Sequence, residues 1–231
     1  MKVILSILFT IGILQISVVQ CFATEDLSKL KEGLYTGNFK TVTPDGEEVN
    51  GTLGILIANG VISSAINTTK LKNDSDTGTY PLLFLKLNDS EMLKKQGGQI
   101  ISMGDKIEIL INTGLKGSAV LSKHAKNNFK DLAGLYKSEN SEEGILLNIS
   151  KNGDVCFVEG PFVASWGILK KNGLFASTQG SKFTKLKLTS VPPNSIKIEY
   201  FDCIPSFEKC DTQELVEEAI VKRTTVEEFL K

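Results

Sequence analysis

The chain has 231 residues, 41% hydrophobic and 23% charged, with a formal net charge of −1. That balance suits an ordinary globular protein with one large core or two cores of roughly 100 residues each, and it excludes a disordered, collagenous or polytopic membrane chain. No polycation is available to grip nucleic acid, and a lone histidine, His124, removes most metal and acid–base chemistry.

At the N-terminus, Lys2 precedes an apolar run from Val3 to Val19. Such a run approaches the length of a spanning helix. However, no basic stop-transfer cluster follows, and Cys21-Phe22-Ala23 offers small residues where signal peptidase needs them. Residues 1–23 therefore read as a signal peptide, with Thr24 as the new N-terminus and a periplasmic or secreted destination. Two alternatives are an uncleaved anchor and lipid anchoring at Cys21, the latter disfavoured by the bulky Gln20 before it.

Sliding the chain against itself reveals three matches in the same order. Gly33-Leu34-Tyr35 returns as Gly134-Leu135-Tyr136, and Lys106-Ile107-Glu108-Ile109 as Lys197-Ile198-Glu199-Tyr200. Ala119-Val120-Leu121 returns as Ala219-Ile220-Val221. A duplicated unit is expected, with copies over 27–132 and 133–231. The first copy carries extra residues near Asp89 to Gly98, a capped helical turn stopped by glycine. The second carries extra residues from Cys203 to Cys210.

Within each copy the rhythm is β. Ile107 and Ile109 flank Glu108, and Ile196, Ile198 and Tyr200 alternate with Lys197 and Glu199, so one face is apolar and the other wet. Turn signals recur at Pro44-Asp45-Gly46, Asn59-Gly60, Asn152-Gly153, Asn172-Gly173 and Pro192-Pro193-Asn194. Short helical segments are read at 125–132, 225–230 and 214–219. The fold class is mainly β: two tandem antiparallel meanders or small lipocalin-like barrels, each ending in a short helix. The second copy, through Gly134-Leu135-Tyr136, Leu147-x-Ile149-x-x-Asn152-Gly153 and Trp166-Gly167-x-Leu169, resembles in style the lipocalin-like lipoproteins of bacterial envelopes. The paired cysteine motif of those proteins has no counterpart here, and the resemblance carries no function.

Loss of the signal leaves Cys156, Cys203 and Cys210 in an oxidising compartment. Cys203 and Cys210, with Pro205 between them, are expected to close a small disulfide loop worth no more than ~2–3 kcal/mol. Cys156 sits in the apolar strand pattern Asp154 to Val158 and reads as a buried, inert thiol.

Catalytic patterns are missing. No Gly-x-Ser-x-Gly elbow, Walker loop or Gly-x-Gly-x-x-Gly occurs. The adjacent carboxylates Glu142-Glu143, Glu217-Glu218 and Glu227-Glu228 point in different directions. Asn73 to Gly78 imitates a calcium loop, but Phe84 stands where its last ligand belongs. Lys182, Lys185 and Lys187 read as a solvated sheet face. Sequons occur at Asn67, Asn73, Asn88 and Asn148. With no cofactor and no metal site expected, the reading is a non-enzymatic, exported protein that engages a protein or glycan through loops. Ile204, Pro205, Ser206, Phe207, Glu208 and Lys209 form the candidate partner loop. The alternative is a carrier of an apolar or lipid-like molecule, with Phe157, Phe162, Trp166, Phe175, Phe183 and Tyr200 lining a cavity, against which core filling competes. A hydrolase is the second alternative.

Overall fold

The computed structural model describes residues 27–42, 46, 48–69, 79–95, 98–111, 114–123, 128–139, 144–160, 163–179, 182–204 and 212–231. The expected signal segment, His124, the calcium-like stretch Asn73 to Gly78, Glu142-Glu143, Phe162 and the loop Pro205 to Cys210 lie outside these residues.

Alternating apolar residues build two antiparallel sheets. The first comprises β1 (Gly33–Val42), β2 (Glu48–Ala58), β3 (Val61–Thr69), β4 (Thr79–Lys86), β5 (Gly98–Met103), β6 (Lys106–Ile111) and β7 (Lys116–Leu121). The second comprises β8 (Gly134–Ser138), β9 (Ile145–Ile149), β10 (Asp154–Glu159), β11 (Val163–Ile168), β12 (Leu174–Gln179), β13 (Lys182–Val191), β14 (Ser195–Ile204) and β15 (Thr212–Arg223). Their orders are β4-β3-β2-β1-β7-β6-β5 and β11-β10-β9-β8-β15-β14-β13-β12. The two orders superimpose strand for strand, except that β12 has no counterpart in the first sheet. The helix Ser90–Lys95 stands in its place, between β4 and β5, with Leu93 plugged into the core. The extra residues of the first copy thus replace a strand. In the second sheet β12 also touches β11, so the meander curls into a nearly closed barrel.

Each unit opens in the same way. Gly33 and Gly134 both sit at positive φ, +142° and +152°. Two residues later, the Tyr35 hydroxyl donates to the Lys31 carbonyl and the Tyr136 hydroxyl to the Leu132 carbonyl, each at 3.1 Å. The β6–β7 and β14–β15 hairpins also keep equivalent register, with Lys106 opposite Val120 and Lys197 opposite Ile220. Closure against the first strand differs. Tyr35 faces Leu121, whereas Tyr136 faces Arg223, two residues past the repeat equivalent Val221. An even slip keeps every side chain on its original face. In the second unit it brings the Arg223 guanidinium over the Tyr136 ring at 5.2 Å and within 2.8 Å of its hydroxyl.

Two helical expectations are corrected. Residues 214–219 belong to β15, because their apolar positions are set by pairing with β14 and not by a helical face. The segment ending at Leu132 is a turn over its described residues, with the Ala133 amide donating to the Phe129 carbonyl. Phe129 and Leu132 pack against the second core. The terminal helix Val226–Phe229 does form, and Thr225 caps it by accepting from the Glu228 amide.

The interior of the first unit is filled by Tyr35, Phe39, Leu53, Ile55, Ile57, Ile62, Leu85, Ile107 and Ile109. That of the second is filled by Tyr136, Leu147, Ile149, Val155, Phe157, Leu186, Ile198, Tyr200 and Val221. The units meet through the outer sides of β1, β2, β3 and β4 and of β9, β10 and β11. Leu34, Leu56 and Ala58 meet Cys156 and Trp166, while Ala65 meets Val158 and Ala164. Val61 meets Leu135 and Phe229, so the terminal helix is wedged into the seam.

Candidate functional site

The seam absorbs several residues singled out above. Trp166 does not line a barrel cavity; it faces outward from β11 and lies on the backbone of Gly54, where any Cβ would run into the indole. Cys156, opposite Trp166 in the β10–β11 ladder, is a free thiol buried in the same cluster, and burial pushes its pKa up to about 12. Asn148, one of the sequons, is fully buried here. Its amide donates to Ser63 Oγ at 3.0 Å, while its carbonyl oxygen accepts from Asn59 Nδ2 at 2.8 Å. Asn59 presents that nitrogen from the β2–β3 turn, where φ values of +53° at Asn59 and +76° at Gly60 give the tight hairpin that Asn-Gly signals. The same nitrogen reaches the Ile149 carbonyl. Such a polar network is satisfied only while both units are in place.

The remaining predicted residues scatter. Phe157 and Tyr200 do meet, edge to face at 6.2 Å, but inside the packed second core. Phe175 pairs through its backbone with Leu186 and Phe183 with Thr178, and their side chains lie outside the description. Cys203 occupies β14 opposite Gln213, and Ile204 ends that strand opposite Thr212. The side chain of Cys203 and all of Cys210 are outside the described structure, as is the disulfide expected between them. Glu217 lies opposite Tyr200 and Glu218 opposite Glu199, on alternate faces of β15. Glu227 pairs with Lys86 and Glu228 with Lys231. Asn88 is exposed in the turn after β4.

A surface the sequence reading missed lies on the outer side of the first sheet. There a groove of about 610 Å³ crosses β2, β1, β7 and β6. Register arranges its outward side chains in two rows. Thr52, Asn38, Ser118 and Glu108 stand side by side in one; Asn50, Lys40, Lys116 and Leu110 form the next. Beneath it the chain is drawn tight at Gly51 and Gly117, where a Cβ would collide with Phe39 or with Leu53 and Ile109 of the core. Lys106 bonds Glu108 at 2.8 Å and steadies that carboxylate. Lys40 and Lys116 lie directly opposite one another, a like-charge cross-strand pair that costs stability. Among the described residues neither has a carboxylate partner within salt-bridge distance. The groove therefore offers amides, hydroxyls and two ammonium groups beside one outward apolar side chain, Leu110, with the Glu108 carboxylate at one end held by Lys106. Its only sequence signal is polar residues alternating with glycine, which composition alone does not distinguish from an ordinary wet face.

Among the described residues no group of His, Cys, Asp and Glu is arranged to hold a metal ion, and no helix is long and apolar enough to cross a membrane. No family model, curated protein or solved structure matches this chain.

Proposed function

We propose that this is an exported, non-enzymatic binding protein that holds an acidic glycan on the outer face of its first sheet. The observation that carries the reading is the Lys40–Lys116 pair, set opposite one another and flanked by Asn38, Asn50, Thr52 and Ser118. Two facing ammonium groups repel one another until an anion lies between them. The hydroxyls and amides beside them suit a polyhydroxylated chain better than an apolar one. Recognition on an outer face is also favoured over carriage in a cavity, because Phe157 and Tyr200 are built into a packed interior.

The test is a panel of acidic and neutral oligosaccharides offered to the protein at two salt concentrations. Acidic members should bind, and binding should weaken with salt. Replacing both lysines, Lys40→Gln with Lys116→Gln, should lower affinity by about tenfold or more, roughly 1.4 kcal/mol. Equal binding of neutral chains, an unaffected double variant, or a panel with no binder would overturn the reading.

A further inference from the structure

The second unit carries an unfinished edge. β15 runs from Thr212 to Arg223 and pairs with β14 along its length, yet only Val221, Lys222 and Arg223 pair with β8. β8 ends at Ser138, and Glu139 turns away in a bend. Among the described residues, nothing pairs with β15 beyond Val221 on that side. The direction of its free groups follows from its last bonds. The Arg223 amide donates to Asn194 on the β14 side and the Thr224 amide to Leu135 on the β8 side. Alternation along the strand then turns the amides of Ile220 and Glu218 toward the open side. Apolar side chains accompany them: Leu215, Val216 and Ile220 are 48%, 59% and 56% exposed. A bulge in the β14–β15 ladder, between Leu215 and Glu217, leaves Val216 without a partner opposite.

From this edge we infer that β15 is a docking site for an extended segment of another protein, added as a further strand, in which lysine or arginine alternates with apolar residues. Open strand edges recruit strands by main-chain hydrogen bonding, with alternate side chains supplying specificity. Charge chooses the occupant. A second copy pairing antiparallel with its two-fold axis at Glu217-Glu218 would set these carboxylates against the same residues of its twin, and like charges across a ladder repel. A basic strand meets the exposed Glu217 instead and shares Glu218 with Lys197, which bonds it at 3.1 Å.

The experiment uses the full exported chain and a labelled decapeptide of alternating lysine and valine, with a glutamate–valine peptide as the control. The basic peptide should bind, and amide exchange should slow at Glu218 and Ile220. Ile220→Pro removes one edge amide without touching the β14 ladder and should weaken binding about tenfold or more. Glu217→Lys with Glu218→Lys should do the same while Ile220 stays intact. Equal binding of both peptides, indifference to either variant, no binding at all, or a dimer of the chain held through β15 would each overturn the inference.

Discussion

Cys156 shows how a residue's burial becomes a solution property. The thiol lies in an apolar cluster with no cation near it, and desolvation alone raises its pKa from 9.0 to about 12. Its thiolate is the reactive form, so the native protein should resist thiol reagents at pH 8 and react only after unfolding. Stability follows the same shift. Below about pH 9 the thiol is protonated in both states and contributes no pH dependence. Between 9 and about 12 the unfolded chain releases a proton that the folded chain keeps, so stability falls as pH rises. The unfolding constant should grow by up to about tenfold per pH unit in that window. Urea midpoints from pH 8 to 11 for the native chain and Cys156→Ser check it; equal slopes would show that Cys156 is not the group responsible.

Elements were legible where they are buried on one face only. The alternation of Ile196, Ile198 and Tyr200 gave β14 its inward side, and Asn59-Gly60 marked a real hairpin. Legibility fails where a strand is buried on both sides. In β9 and β10 nearly every position is buried, because one face fills the barrel and the other meets the first unit. The sequence accordingly offers Trp166, on neighbouring β11, as a candidate cavity residue, whereas its contact is Gly54 of β2. The acidic stretch within β15 resembled a helix because glutamate favours helices and the partner strand is invisible locally. The groove on the first sheet was hidden for a different reason, since its rows exist only once four strands are in register. The β2–β11 contact has a measurable signature. Gly54→Ala alone should destabilise by about 1–3 kcal/mol, as overpacked sites do. In a Trp166→Ala background the same change should cost much less, since the indole it strikes is gone. Additive effects in a double-mutant cycle would deny that the two residues touch.

At the scale of the molecule, the duplication matters less than what lies between the copies. Leu34, Leu56, Val61, Leu135 and Phe229 are buried in the seam, each among residues of the other unit. Burying side chains of this size is worth about 1.5–3 kcal/mol apiece, so together they contribute on the order of 10 kcal/mol. That is comparable to the whole net stability of an ordinary domain. Asn148 adds to the penalty of separation, since opening the seam strips it of Ser63 and Asn59. The two units should therefore unfold as one cooperative body. The chain's single tryptophan reports on the seam directly, because Trp166 packs across it. In a urea titration its emission should shift to the red at the same midpoint as the loss of β-sheet circular dichroism. An earlier emission change would mean the barrels part before they melt, and the seam would then be a docking contact weaker than the cores it joins.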